Sequence, residues 1–127
     1  GIVDWTEATE HLRDRVALYR LDGALFYGNA RRFADQVLDV EDVDVVIVRC
    51  HRMNILDASG ADALKDVAKQ LRRRGIPVIV QGMTDAQRRT VTNMKAVPPE
   101  AHVLELSEAL VAAEQICATA YHEVHEY

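Results

Sequence analysis

The sequence lacks any run of about 18 apolar residues, which is the length that a membrane-spanning helix requires. It also lacks an excess of basic residues: the net charge is −5, which argues against binding to the phosphate backbone of nucleic acids. Cysteine is scarce, since only Cys50 and Cys117 are present and no Cys-x-x-Cys pair occurs. We therefore expect two free buried thiols in a reducing compartment rather than a disulfide.

The composition is that of one globular domain. The 127 residues are 49% hydrophobic and 28% charged, which fits a soluble chain with a single core. The chain begins with Gly1 rather than Met, so we expect it to be a segment of a longer polypeptide. We predict a polar lead-in over residues 1–15, anchored by Trp5, and a folded domain over residues 16–127.

Alternating and continuous apolar runs predict the strands. Apolar residues alternate across 16–30 with a break at Asp22-Gly23, a pattern that predicts two short strands joined by a tight turn. The runs at 43–50 and 76–80 are rich in β-branched residues, as in strands that are buried on both faces. The segment HVLEL predicts a short last strand.

Helical signals alternate with these strands. Asn29 is placed to cap a first helix, an apolar stripe after Asp57 ends at Gly75, Thr84 with Gln87 resembles a capping box, and Ser107 begins a final helix. The order β-β-α-β-α-β-α-β-α requires right-handed crossovers and a mainly parallel sheet. Because the first hairpin adds a strand of opposite direction, we predict a single α/β domain with a mixed, mostly parallel β-sheet covered by four to five α-helices.

The segment Asp57-Ala58-Ser59-Gly60 joins a strand to a helix and has three interpretations. The Asp57 carboxylate suits ordinary helix capping. Ser59 lies in the first helical turn, where the helix favours a phosphate but Asp57 repels it, so the segment also suits a regulatory or contact site. Catalysis is disfavoured, because no His or Lys adjoins Ser59 and the GxSxG elbow is absent. Capping is the first choice and contact the second.

The segments LDASGADAL and LRRRGIPVIV resemble the STAS domain (sulfate transporter and anti-sigma factor antagonist), in which Asp-[Ser/Thr/Ala]-[Ser/Thr]-Gly opens a helix after a strand. The likeness runs from about Val16 to Val124. The segment YRLDGALFYGNARRF resembles the SulP anion-transporter branch, where Leu-Phe-Phe-x-Asn-Ala follows a strand-turn-strand; this chain has LFYGNA. SulP proteins carry the domain after a membrane transport unit, which fits a segment without an initiator Met.

The resemblance implies a non-enzymatic regulatory domain on the cytoplasmic side of the plasma membrane, in a SulP-type transporter for sulfate, bicarbonate or a dicarboxylate. The implied partners are the transmembrane transport unit of the same polypeptide, a second protomer, or a soluble partner such as acyl carrier protein; no nucleic acid partner is expected. The implied regulatory or partner-contact site consists of Asp57, Ala58, Ser59, Gly60 and Asp62. No catalytic residues are expected.

Helix N-termini give a further expectation. Those at Gly28, Asn29, Ser59 and Thr84 are predicted to gather at one end of the sheet, where an anion or a nucleotide is favoured. No cofactor and no metal is expected. GTP or ATP as a weakly bound regulatory ligand is the alternative, against which stands the absence of GxxxxGK[ST] and GxGxxG from the sequence. The alternative function is a stand-alone phospho-switch, like an anti-sigma factor antagonist, that uses Ser59.

Three charged segments leave alternatives open. His51 and Arg52 are predicted in a loop after a strand, with a partner contact and no role both open. The arginines at 72–74 are interpreted as a solvated helix end, with contact to anionic lipid as the alternative. For His122 and His125 a solvated helix end is favoured over a metal site, because no third ligand is evident.

Overall fold

A computed structural model describes residues 10–125 of the chain. Four parallel strands form one sheet, in which each strand pairs with the strand that follows it along the chain. The strands are β1 (Val16–Leu25), β2 (Val45–Leu56), β3 (Val78–Gln81) and β4 (His102–Val103). The helices are α1 (Ala30–Leu38), α2 (Ala58–Arg73), α3 (Asp85–Asn93) and α4 (Leu106–His125), with 3-10 turns at Glu10–Leu12 and Pro99–Ala101. The predicted α/β class and the alternation of strands and helices are confirmed.

The predicted first hairpin is instead one long strand. Residues of β1 pair with β2 along its whole length, and the register shifts between Arg20 and Asp22 and again between Gly23 and Ala24. At each shift β2 contributes one residue more than β1, as in a β-bulge. Gly23 takes a positive φ of 78°, so it absorbs the irregularity without reversing the chain. Among residues 10–125 the sheet is therefore parallel throughout rather than mixed.

Strand β2 is also longer than predicted. It continues past Cys50 to Leu56, so His51 and Arg52 lie in the strand and not in a loop. The extension has a main-chain partner, because β1 runs beside it to the pair Leu25 and Leu56. Trp5 and the side chains of His122 and His125 lie outside the part of the chain that the structure describes.

The two faces of the sheet carry separate apolar layers. Helices α1, α2 and α3 pack on one face, where their buried side chains form one cluster with β2 and β3; its larger members are Phe33, Val37, Leu64, Leu71, Val46, Val48, Val80 and Val91. Helix α4 and the turn at Glu10–Leu12 cover the other face through a smaller cluster. That cluster contains Leu12, Val16, Val45, Ile47, Ile79, Ala109, Ala113 and Cys117.

Helix α4 crosses its face of the sheet obliquely. Just before the helix begins, the Leu104 carbonyl accepts a hydrogen bond from Gln81 Nε2 at the end of β3 (2.8 Å). Further along the helix, the Cys117 carbonyl accepts from Arg15 at the start of β1 (2.7 Å). The carboxyl halves of β1 and β2 therefore lie beside the path of α4, and Arg20 and Arg52 there are exposed. Within residues 10–125 no helix is both long enough and apolar enough to cross a membrane.

Candidate functional site

Asp57 connects two loops at the carboxyl end of the sheet. Its Oδ1 accepts a hydrogen bond from the Gly60 N–H (2.7 Å), which caps α2 as predicted. Its Oδ2 accepts from the Tyr27 N–H in the loop between β1 and α1 (3.4 Å). One carboxylate thus holds the start of α2 and the β1–α1 loop in a fixed relation. We call the surface formed by residues 26–29, Ile55 and Asp57–Gly60 the corner surface.

Gly60 is required by a close approach of two backbones. A Cβ atom at this position would lie 2.2 Å from the Leu25 carbonyl oxygen, far inside van der Waals contact. The same carbonyl accepts a hydrogen bond from the Asp57 N–H (3.4 Å). The glycine of the Asp-Ala-Ser-Gly segment therefore lets the first turn of α2 lie directly against the end of β1.

Asn29 stabilises the end of β1 instead of capping α1 through its side chain. It occupies the N-cap position, but its side chain makes no capping hydrogen bond. Its Oδ1 accepts from the Phe26 N–H (3.0 Å), and its Nδ2 donates to the Ala24 carbonyl (2.7 Å). The Asn29 side chain makes these two hydrogen bonds because the loop before α1 brings the backbone of residues 24–26 next to it. At Gly28 a Cβ atom would lie 2.6 Å from the Phe26 ring.

Ala58, Ser59 and Asp62 are exposed on the outer side of α2. Ser59 and Asp62 lie in a shallow groove of about 700 Å³ between α1 and α2, together with Arg31 and Lys65. No hydrogen bond of the Ser59 hydroxyl to another described residue is present. The hydroxyl is thus accessible, while hydrogen bonds hold the Asp57 carboxylate and close packing against Leu25 holds Gly60.

Thr84 begins α3 with the predicted capping box. Its Oγ1 accepts from the Gln87 N–H (3.1 Å), while Gln87 Oε1 accepts from the Thr84 N–H (3.0 Å). Gln87 Nε2 also donates to the Met53 carbonyl in β2 (2.9 Å). The N-termini of α1, α2 and α3 all follow carboxyl ends of parallel strands.

The helix N-termini do not share one groove. Asn29 lies in a groove with Tyr19 and Arg32, whereas Ser59 lies in the groove between α1 and α2. Side chains of the same helices already occupy the N–H groups of Gly60 and Gln87. Binding of GTP or ATP at these N-termini stays a prediction. Within the described side chains no group of three or more potential metal ligands occurs.

Exposed apolar side chains surround the Asp57 corner, and they were not predicted from the sequence as a surface. Tyr27 is 83% exposed, Ile55 56% and Phe26 41%. Phe26 and Tyr27 follow Leu25, and Ile55 precedes Leu56, the partner of Leu25 in the β1–β2 pair. The available signal was the position of the two aromatic residues directly after the last buried residue of a strand and before Gly28-Asn29.

Comparison with known families identifies the domain. The family model of the STAS domain matches residues 8–109. The chain belongs to the STAS domain family. This assignment confirms the resemblance seen in the sequence, and it places the Asp57 corner within the matched region.

Solved structures share the fold of this STAS domain. A sulfate transporter family protein from Wolinella succinogenes matches with a TM-score of 0.73 and 24% identity, over 81% of this chain and 88% of that one. The SulP transporter STAS domain from Vibrio cholerae gives a TM-score of 0.69 and 22% identity, over 83% and 85%. The unphosphorylated anti-sigma factor antagonist SpoIIAA gives 0.63 and 15%, over 77% and 86%. A search of curated proteins found no match.

Proposed function

We propose that this STAS domain is a regulatory docking module of a SulP-type anion transporter and that its corner surface contacts the transport unit of the same polypeptide on the cytoplasmic side of the membrane. The observation that carries the proposal is the exposure of Phe26, Tyr27 and Ile55 around the Asp57 frame. The likeness to the STAS domains of the Wolinella and Vibrio proteins supports the choice of a transporter.

Exposed aromatic side chains on a fixed frame favour binding. Grouped exposed apolar residues are typical of interaction sites, and Tyr and Trp are frequent among the residues that dominate interface energies. The hydrogen bonds of Asp57 and Asn29 hold the backbone of residues 26–29 in place before a partner arrives. Such preorganisation lowers the entropic cost of binding. The corner surface is therefore suited to a stable contact.

Regulation requires that the contact differ between transporter states. A docked domain shifts a conformational equilibrium only by the difference in its binding free energy between the two conformations. The tight link between β1 and α2 at Leu25 and Gly60 makes the corner surface move as one unit. A displacement of the domain against the transport unit is thus the step that we expect to alter transport.

Site-specific photocrosslinking in the full-length polypeptide tests this contact. A benzoylphenylalanine is placed at Tyr27, and a matched control at Arg73, which is exposed at the far end of α2. We expect crosslinks from position 27 to the transport unit and none from position 73. Crosslinks from position 27 that reach only a second protomer, or none at all, would reject the proposed contact. Tyr27→Ser should also change anion uptake while the melting temperature of the domain stays unchanged.

Ser59 supports a second candidate function, a phospho-switch of the kind used by anti-sigma factor antagonists. Its hydroxyl is exposed in the first turn of α2, between the fixed residues Asp57 and Gly60. A phosphate there adds a charge of about −2 beside Asp57 and Asp62, which would weaken the hydrogen bonds that hold the corner. Mass spectrometry of the protein from its native cell tests this function, and Ser59 unmodified under all conditions would exclude it.

Other expected partners are proposals with separate tests. Light scattering tests for a second protomer, and pull-down with purified acyl carrier protein tests that soluble partner. Calorimetry at millimolar GTP or ATP tests the regulatory nucleotide. Each measurement is independent of the crosslinking experiment.

A further inference from the structure

Three arginines converge on the part of the sheet face that lies beside α4. Arg20 of β1 stands directly opposite Arg49 of β2, and Arg49 stands opposite Gln81 of β3. Arg52 of β2 stands opposite Asp22 of β1, which lies beyond Arg20 toward the carboxyl end of that strand. Directly paired residues of neighbouring strands lie on the same face of a sheet. We call Arg20, Arg49 and Arg52 the basic cluster.

The charge of the basic cluster is only partly balanced within the described residues. Asp22 pairs with Arg20 (2.9 Å). Arg49 uses its Nε to donate to Gln81 Oε1 (3.3 Å), an uncharged acceptor. Among the described side chains neither Arg49 nor Arg52 forms an ion pair. Among the described side chains, the basic cluster thus brings three cations together with the Asp22 carboxylate, in a chain whose net charge is −5.

All three arginines of the basic cluster act on the pKa of His51. Desolvation lowers the pKa of its imidazole, and Arg49, Arg52 and Arg20 lower it further because they repel the protonated ring, whereas Asp22 acts in the opposite sense. The three guanidinium groups therefore act on one region next to His51. Like charges directly opposite each other in a sheet are unfavourable, and an anion between them would remove that repulsion.

We propose that the basic cluster is a binding site for a phosphate-type dianion, either free or as the phosphomonoester headgroup of a lipid. Guanidinium groups bind such oxyanions through paired N–H donors, and they do so more strongly than neutral donors. Gln81 steadies Arg49 through Nε alone, and no described residue accepts from its terminal nitrogens. The site is distinct from the corner surface, and it does not depend on the proposed transporter contact.

Titration of the domain with inorganic phosphate at constant ionic strength, followed by NMR of the arginine side chains, tests the site. We expect saturable shifts in the native protein. Arg52→Gln should weaken binding at least about tenfold, the loss expected for a charge-assisted contact. Arg73→Gln, an equal charge change on an exposed residue at the end of α2, should leave the affinity unchanged. Asp22→Asn should tighten binding, because it releases Arg20 from its ion pair.

Vesicles distinguish the two sources of the phosphate group. Binding of inorganic phosphate without binding to phosphatidic acid vesicles supports a free anion, while binding to phosphatidic acid vesicles that Arg52→Gln abolishes supports a headgroup. Absence of both, or equal weakening by Arg52→Gln and Arg73→Gln, would overturn the proposal. Thermal melts of all three variants establish that each is folded, and Arg49→Gln is measured only as a second variant because it also loses the Gln81 contact.

Discussion

The four residues that open α2 differ in what constrains their side chains. Asp57 is fixed by hydrogen bonds to two backbone N–H groups, and Gly60 is fixed by the Leu25 carbonyl. Ala58 and Ser59 between them are exposed. The segment therefore combines two structural positions with two positions that are free to vary. Substitutions at Asp57 and Gly60 should therefore change the stability of the fold, whereas substitutions at Ala58 and Ser59 should change only the binding of a partner.

Gly60→Ala should destabilise the fold, because the new Cβ would lie 2.2 Å from the Leu25 oxygen and α2 must shift to relieve the overlap. We expect a loss of about 1–3 kcal/mol in the free energy of unfolding, the usual cost of overpacking a buried site. Chemical denaturation measures it. Ser59→Ala in the same turn is the control, with a change within about 0.5 kcal/mol. Equal effects of the two substitutions would contradict the assignment of Gly60 to packing.

Cys50 gives a prediction on pH dependence. Burial raises the pKa of its thiol from 9.0 to about 12, so above pH 9.0 the unfolded chain loses the proton while the folded chain keeps it. Stability should therefore be intact below that pH and fall as the pH rises toward about 12, by at most about 1.4 kcal/mol per pH unit from this group. Denaturation curves at several pH values measure the slope.

Cys50→Ala is the control for this titration. The substitution should lower stability at neutral pH, because it leaves space in the core, yet it should make the alkaline slope shallower. All other ionisable groups are the same in both proteins, so the difference between the two slopes isolates the thiol. An unchanged slope would show that Cys50 does not contribute.

At the scale of elements, Arg74 joins α1 to the end of α2. Its guanidinium donates to the carbonyls of Leu38 and Val40, just where α1 ends. The sequence predicted a solvated helix terminus for the three consecutive arginines. In the structure the three arginines differ. The Arg74 side chain bonds to the end of α1, whereas the Arg72 and Arg73 side chains make no hydrogen bond to a described residue.

Arg74→Ala should therefore lower the free energy of unfolding by about 1–2 kcal/mol, between the usual values for neutral and for charge-assisted hydrogen bonds, because Arg74 is exposed. Arg73→Ala removes the same charge without removing these bonds, and it should change stability by less than about 0.5 kcal/mol. Thermal or chemical denaturation compares the two. If both variants lost the same stability, the effect would come from charge at the helix terminus and not from the contact with α1.

The elements that the sequence predicted well depend on local signals. The helices after Asp57 and Thr84 begin at the predicted caps, and the final helix begins within one residue of Ser107. Asp22-Gly23 has the local pattern of a turn, but pairing with β2 keeps the chain extended there. That pairing joins residues about thirty positions apart, so no local pattern contains it.

The candidate site likewise contains one feature that a local signal predicts and others that only the strand register produces. The Asp57 cap follows from a residue type at the start of a helix, and it was predicted. The approach of Gly60 to Leu25 and the row Arg20, Arg49, Gln81 arise only from the register of three strands. The predicted strand HVLEL shortens to His102–Val103, because its partner β3 ends at Gln81. The features that were not predicted from the sequence thus depend on pairing between strands that lie far apart along the chain.

At the scale of the whole molecule, the sheet separates a larger apolar layer from a smaller one. The layer under α1, α2 and α3 contains most of the buried side chains, whereas the fully buried residues among the described side chains of α4 are the small ones Ala109, Ala113 and Cys117. Less apolar area is buried by small side chains. We therefore expect α4 to open locally before the rest of the domain unfolds.

Arg15 is the polar link that opposes this opening. Arg15 directly precedes β1, and its side chain pairs with the carboxylate of Asp44, which directly precedes β2. It also donates to the Cys117 carbonyl in α4 (2.7 Å), so it connects the starts of β1 and β2 to the helix. Arg15→Ala should raise the exchange rate of the α4 amides about tenfold or more, the effect of losing about 1.4 kcal/mol or more of local stability, while amides in α2 change little.

Hydrogen exchange measured by NMR tests this prediction, with Arg13→Ala as the control, because among the described residues the Arg13 side chain pairs with Glu10 on the surface (3.0 Å) and not with α4. Faster exchange in α4 alone would show that the smaller layer opens as a unit and that Arg15 sets its stability. Equal acceleration in α2 and α4 would mean that the two layers unfold together, in which case the sheet transmits the loss of Arg15 to the corner surface as well.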